Sequence, residues 1–451
     1  MKTKPYQHQL FTLKFHLSRS RSADFSEQGT GKTWAAIGAI EKRIKKEQIK
    51  HCLVVCPASI LHVWANEIDK HSDFLTYEFL KGTKRHEVLK ESSAHVFIVS
   101  YDSLTPQLVK IARQKCQMVI FDECHFAKNY KAKRTKLAMA LAKTPHVIAM
   151  SGTPWPNDMT EVFSIFYLVD LGKTFGTNYY AFLRNYFYEK KIRIGFNRYV
   201  RKYIPTNRLF MKLSKALKTV AVRFRKDDLP DIPPKIYQEI IVEMSPDQRK
   251  YYKSISHDLP LDEFNFDLPP NILVKYEKLQ QIASGFLYLE DKSKVIEFNN
   301  PKWRALLEVL PSVTAGKKAI VVCRYQYEIT RLRKLLKDYN PLVLDGKTLN
   351  KAKVCRLFQE DEDHRVLIMQ TSCGVGVTLT QADTMIFLTN SWSYAERYQT
   401  EDRICRAGQT SKHVLYIDVV CKGTIDERVL TILKKKRSRI ERTLKNVKRG
   451  S

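Results

Sequence analysis

The sequence predicts an α/β protein built as two parallel-sheet lobes with an insert between them. Three observations predict it. Short apolar runs without polar alternation recur in both halves of the chain, a glycine-rich loop near the N-terminus precedes a helical pattern, and an aromatic and basic block separates the two series of runs. Runs with so few polar residues have no face suited to water. They read as strands covered on both sides, which is how parallel sheets are built.

The first series is CLVVC (52–56), VFIVS (96–100), MVIFD (118–122) and VIAMS (147–151). The second is AIVVC (319–323), LVLD (342–345), VLIMQ (366–370), MIFLT (385–389) and VLYIDVV (414–420). Two such series predict two lobes, and 451 residues suffice for roughly two to four domains. The expected division is a first lobe over 1–228, a linker and the start of the second lobe over 229–300, and the body of that lobe over 301–451. The insert, 160–228, carries Phe175, Tyr179, Tyr180, Phe182, Tyr186, Phe187 and Tyr188, followed by lysines and arginines. It is expected to be helical. LPDIPPK (229–235) reads as extended, because each proline removes a backbone donor and restrains its neighbour. The end of the chain is a basic helix with Ile440, Leu444 and Val447 at helical spacing.

The chain carries 77 lysines and arginines against 47 aspartates and glutamates, a net charge of +30. Folding does not require such a charge; it draws polyanions to the surface. Nucleic acid is the expected partner and an acidic membrane surface the alternative. The nine cysteines contain no C-x-x-C pair, and Cys52 and Cys56 bracket an apolar run. This predicts buried thiols in a reducing compartment, with neither zinc nor a disulfide framework. No apolar stretch reaches about 18 residues, so no membrane span is expected. MKTKPYQHQL lacks the apolar core of a signal peptide. The expected location is the cytoplasm or nucleoid of a bacterium or phage-infected cell, or the nucleus of a eukaryotic one.

Gly29-Thr30-Gly31-Lys32-Thr33 precedes the helical pattern WAAIGAIEKRI. That context makes a phosphate cradle: glycines let backbone N–H groups turn inward, and the helix offers its positive end. Lys32 would neutralise the β and γ phosphates of ATP, and Thr33 would hold Mg²⁺. MVIFDECH is an apolar strand ending in Asp122-Glu123. Carboxylates at the C-terminal end of a parallel strand face the ligand crevice. Asp122 would hold the magnesium, and Glu123 would activate the attacking water.

Asp-Glu-Cys-His resembles the D-E-x-H box of superfamily-two helicases. Other stretches follow in that family's order: KPYQHQ, CPASILHVWANEI (56–68), VSYDSL (99–104), SGTPWPN (151–157), QTSCGVGVTLTQAD (370–383) and QTEDRICRAGQ (399–409). VRFRKDDLPDIPPK (222–235), LQQIASG (279–285), NPKWRALLEVL (300–310) and GTIDERVLTIL (423–433) narrow the resemblance to the Swi/Snf-type DNA translocases. The aromatic insert is most similar to their compact fork-remodelling, annealing-helicase-like or phage-encoded branch. The resemblance runs from Gln7 to about Lys436.

The resemblance implies two RecA-like lobes with ATP between them. It implies that Gln7 reads adenine and that Gly29, Thr30, Gly31, Lys32, Thr33 and Gly376 surround the nucleotide. Arg406 would be the arginine finger and Arg403 its partner; spaced i, i+3, they would share one face of a helix. Ser151, Thr153 and Gln399 would couple hydrolysis to strand contacts. Ser59, Ser100, Tyr101, Arg324, Thr371 and Ser372 would lie on DNA. The implied activity is ATP-driven translocation on duplex DNA by a monomer, with remodelling or unwinding of forks and junctions in replication, recombination or repair. The alternatives are an ATP-switched clamp or loader without net movement, and an RNA helicase. The chain departs from the family's Asp-Glu-Met-Gly-Leu-Gly-Lys-Thr: Ser26, Gln28 and Thr30 replace Asp, Met and Leu. Cys124 stands where Ala or Gly is common, and Trp392 lacks the usual Asp-Pro before it.

Overall fold

A computed structural model describes the chain except residues 196–197, 227–228, 230–231, 257–269, 290–293, 374–376, 407, 446 and 448–451. The chain divides into two compact units. One comprises Met1–Tyr188, Tyr203–Leu229 and Ser438–Ser451; the other comprises Glu189–Lys202 and Pro230–Arg437.

The first unit is built on a seven-stranded sheet. Its strands are β1 (Arg21–Asp24), β2 (Cys52–Cys56), β3 (Tyr77–Phe79), β4 (Val96–Ser100), β5 (Met118–Asp122), β6 (His146–Met150) and, after the insert, β9 (Ala221–Val222). The order is β3-β4-β2-β5-β6-β1-β9, with every pairing parallel. Every residue of β2, β4 and β5 is buried, as their unbroken apolar runs require. Helices over Gln7–Leu17, Lys32–Lys45 and Leu61–His71 contribute Leu13, Ile37, Ile40, Trp64 and Ile68 to the core on these strands.

The insert is helical over Tyr179–Tyr186 and Asn207–Val220, but between them lies a two-stranded ribbon, β7 (Phe187–Gly195) and β8 (Arg198–Pro205). Only KIRI (191–194) within FYEKKIRIG alternates charged with apolar residues, and the expected helix gives way to strands at Phe187. Most of the rings form the insert's own core. Phe182 is buried within about 5–6 Å of the rings of Phe163, Phe175, Tyr186 and Phe187.

The second unit carries a six-stranded parallel sheet of β10 (Lys235–Val242), β13 (Lys318–Cys323), β14 (Leu342–Leu344), β15 (Val366–Gln370), β16 (Ala382–Phe387) and β17 (Val414–Cys421). The order is β10-β17-β16-β13-β15-β14. A short antiparallel pair, β11 (Phe286–Tyr288) and β12 (Val295–Glu297), stands apart from it. The proline-rich stretch thus leads directly into an edge strand, whose residues are mostly exposed.

A buried ionic network pins this sheet. Glu401 takes the Arg397 guanidinium at 2.7 Å, Lys235 at 3.2 Å and the Tyr237 hydroxyl at 2.8 Å; Arg397 Nη2 reaches Asp418 at 3.0 Å. Burial alone would raise the Glu401 carboxyl, but Lys235 and Arg397 hold it down to about 2. A depressed carboxyl pKa contributes stability above its ordinary value and loses it as pH falls toward the folded value. Glu401→Gln is expected to cost roughly 3–5 kcal/mol near neutrality, because it leaves Arg397 and Lys235 short of charge in the interior. Urea titrations should show that deficit shrinking as pH falls from about 4.5 to 2.

All nine cysteines are free and buried. Among the described residues, no helix is long and apolar enough to cross a membrane, and no group of three or more His, Cys, Asp or Glu could hold a metal ion.

Candidate functional site

The site lies at the C-terminal ends of β1 and β5 in the first unit. The chain leaves β1 at Asp24, runs through Ser26–Gly31 and enters the helix Lys32–Lys45. Gly29 and Gly31 have φ of +78° and +80°, a conformation that favours glycine. A side chain on Gly31 would also strike Gln9, whose Nε2 lies 2.0 Å from where a Cβ would stand. The loop is braced from several sides. Thr30 Oγ1 donates to the Glu27 carbonyl at 2.8 Å, and the His8 ring donates to the Thr30 carbonyl at 2.7 Å. The chain leaving the insert runs alongside: Glu27 N–H donates to the Phe224 carbonyl at 2.9 Å, and Phe224 N–H donates to Ser26 Oγ at 3.0 Å.

Lys32 Nζ donates to the carbonyls of Ser26 and Glu27, both at 2.9 Å. It is thus held over the loop, where a phosphate could replace the carbonyls. Thr33 follows on the first helical turn and is half-buried. Gln7 begins the helix Gln7–Leu17 with its side chain exposed, whereas Gln9 is buried against Gly31. Gln9, which the sequence did not single out, is thus the glutamine that touches the phosphate loop.

Asp122 closes β5. Its Oδ2 accepts from the Trp64 indole N–H at 2.8 Å and its Oδ1 from the Glu123 N–H at 2.9 Å. Burial and the neighbouring Glu123 push its carboxyl up to about 6, while Trp64 and Lys32 act in the opposite direction. Two adjacent carboxylates in a buried setting gain from a cation. The donor set, carboxylate and threonine hydroxyl, is the hard oxygen chemistry that magnesium takes. Asp122 and Thr33 thus fit the metal expected of them.

Glu123 adopts φ 48°, ψ 52°, the left-handed region that side chains avoid. Such a conformation costs of order 1 kcal/mol and persists where surrounding contacts over-determine it. Gln28 Nε2 donates to Glu123 Oε1 at 2.7 Å. On the other oxygen, His125 Nδ1 lies at 3.2 Å and Ser151 Oγ at 3.3 Å, with His125 and Ser151 themselves 3.0 Å apart. The motif expected to couple hydrolysis to movement therefore touches the carboxylate through Ser151. Thr153 donates its N–H to Ser151 Oγ at 3.2 Å, and its own hydroxyl is buried with no hydrogen-bond partner among the described residues.

The residues expected on DNA are divided by burial. Ser59 and Ser372 are exposed. Ser100 is buried and caps the turn Tyr101–Ser103. Tyr101 is a core residue, 1% exposed, whose hydroxyl donates to the Asp122 carbonyl at 3.1 Å. Its ring props the end of β5 rather than a strand of DNA. Thr371 is buried on the Cys323 carbonyl, and Arg324 is engaged by Gln280 and Glu277. In the second unit the helix Tyr394–Glu401 ends before Arg403 and Arg406, so the two arginines lie on the turns that follow. They converge there all the same: both donate to the Val377 carbonyl, at 3.1 and 3.3 Å. Arg403 is buried and also donates to the Gln399 carbonyl, whereas Arg406 is half-buried and reaches Thr378 Oγ1. Gln399 is buried, its Nε2 with no hydrogen-bond partner among the described residues; Gly376 lies outside them. Trp392 is packed, edge-on to Tyr276.

Comparison with known proteins adds independent findings. A family model described as an SNF2-related domain matches residues 8–298, and one described as a helicase conserved C-terminal domain matches residues 301–408. The chain is 27% identical to a putative protein of Acyrthosiphon pisum secondary endosymbiont phage 1, across 99% of this chain and 98% of that one. It is 28% identical to an uncharacterized ATP-dependent helicase of Mycoplasma genitalium, across 93% of this chain and 40% of the relative. A solved Sulfolobus solfataricus SWI2/SNF2 ATPase core in complex with dsDNA is similar at 20% identity and a TM-score of 0.46, over 98% of this chain and 93% of that one.

Proposed function

The chain belongs to the SNF2-related family and is a DNA-dependent ATPase of helicase type, and on that premise we propose that it translocates on duplex DNA and remodels forks and junctions. In the proposed chemistry Lys32 leaves the Ser26 and Glu27 carbonyls for the β and γ phosphates. Glu123 accepts the proton of the water that attacks the γ-phosphorus, as the bond to the β–γ bridging oxygen breaks. Magnesium, when bound by Asp122 and Thr33, neutralises phosphate charge. Arg406 supplies a fixed positive charge for the transferring phosphoryl group. Ser151, in contact with Glu123, carries the change in the carboxylate's surroundings to the strand end after β6.

The observation that carries the branched-DNA reading is the set of exposed rings in the insert. Tyr180, Tyr188 and Tyr199 are 58%, 55% and 58% exposed, while Phe175, Phe182, Tyr186 and Phe187 are buried. Lys190 and Lys191 are exposed on the same ribbon as Tyr188 and Tyr199; the side chain of Arg193 lies outside the described residues. Rings can stack on unpaired bases for roughly 1–3 kcal/mol each, and branch points offer such bases beside a duplex track. Forks and four-way junctions are therefore expected to be remodelled in preference to linear duplex of equal length. Charge reversal at Lys190, Lys191 and Arg193 should weaken branch remodelling more than duplex-stimulated ATP turnover. Equal loss of both activities would leave a translocase without branch preference.

A further inference from the structure

We infer that Gln28 is a positioning residue for ATP hydrolysis: it ties the phosphate loop to the carboxylate that activates water. The inference rests on the reading of Glu123 as that base. Gln28 is buried, 95 residues from Glu123 in sequence, and its amide nitrogen donates to Glu123 Oε1 at 2.7 Å. An ionised carboxylate only accepts, so the amide must present its nitrogen. A neutral donor on an ionised carboxylate makes a short, charge-assisted bond. His125 and Ser151 hold the other oxygen from the opposite side. The carboxylate is thus clamped between the end of β6 and the loop itself, on a residue whose backbone is already strained.

This contact belongs to this sequence. Where the family resemblance leads one to expect methionine, a side chain with no N–H to donate, this chain has glutamine. Gln28 directly precedes Gly29, so any rearrangement of the loop around a phosphate moves the Gln28 amide and, through it, Glu123. The loop would then set the angle of the base as well as hold the nucleotide. Nothing in the contact requires Gln28 to touch ATP.

The test is steady-state ATP turnover with saturating duplex DNA, alongside fluorescent-nucleotide binding, for Gln28→Met, Gln28→Glu and Glu123→Gln. Gln28→Met removes the donor, and Gln28→Glu keeps the shape but sets an anion against Glu123. The expected result is a fall in kcat of roughly ten-fold for Gln28→Met and more for Gln28→Glu, with nucleotide affinity and KM within about two-fold of the parent. Retained affinity also shows that the loop has folded. In single-turnover measurements, Gln28→Met should add nothing to Glu123→Gln, since both act through one carboxylate. Unchanged kcat in both Gln28 variants, loss of nucleotide binding in both, or an equal fall in the Glu123→Gln background would overturn the inference. Near-normal turnover in Glu123→Gln would instead overturn the reading on which it rests.

Discussion

Glu123→Gln is expected to bind ATP with near-parental affinity and to turn it over roughly 10²–10⁴-fold more slowly, the range lost with a general base. The substitution keeps the size of the side chain. Ser151 and His125 stay in place, and so do the loop contacts of Thr30 and His8 that shape the nucleotide site. Only the proton acceptor is gone. Lys32→Ala should also abolish turnover, but by another route: the phosphates lose their charged partner, so ATP affinity falls with the rate. DNA binding should survive both changes, because neither touches the wider basic surface behind the +30 charge. Near-normal turnover in either variant would contradict the assignment.

Arg406→Ala is expected to cost ~10³-fold or more in turnover, the scale on which a transition-state arginine acts. Its neighbour should behave differently. Arg403 is buried and donates to the carbonyls of Gln399 and Val377, so Arg403→Ala removes both hydrogen bonds and empties a buried site. It should lower the melting temperature as well as the activity. Arg406 is half-buried on Thr378 and Val377, contacts it can exchange for phosphate oxygens with little effect on the fold. A folded, inactive Arg403→Ala beside an active Arg406→Ala would exchange the two roles.

The strands at the heart of both sheets were legible because burial on both faces leaves an unbroken apolar signature; β2, β4, β5 and β15 lie where their runs end. β1 was not legible, because RSAD is polar for local reasons. Arg21 spends its guanidinium on the carbonyls of Val169 and Thr144, and Asp24 accepts from the Ser26 N–H. The ribbon was missed because its aromatic entry, YYAFLRNYF, is helical up to Tyr186, and nothing in composition marks the switch at Phe187.

In the site, Lys32, Asp122 and Glu123 could be read from local pattern, since loop glycines and strand-end carboxylates carry their own context. Gln9, Gln28 and Trp64 could not. Each meets its partner across 22, 95 and 58 residues, and none has a spacing that announces the contact. Trp64 shares the stretch 56–68 with Ser59, a residue expected on DNA, yet its indole N–H serves Asp122. Tyr101 shows the same turn inward.

In the proposed motor, ATP turnover is coupled to a duplex DNA track. The most direct measurement is the ATP turnover rate of the full chain with duplex DNA, single-stranded DNA, RNA and no polymer, at matched phosphate concentration and fixed salt. Turnover is expected to be low without polymer, to rise strongly with duplex DNA, and to respond more weakly to single strands and RNA. Stimulation by RNA above duplex DNA would point to an RNA helicase. Turnover indifferent to polymer would contradict a motor driven along DNA.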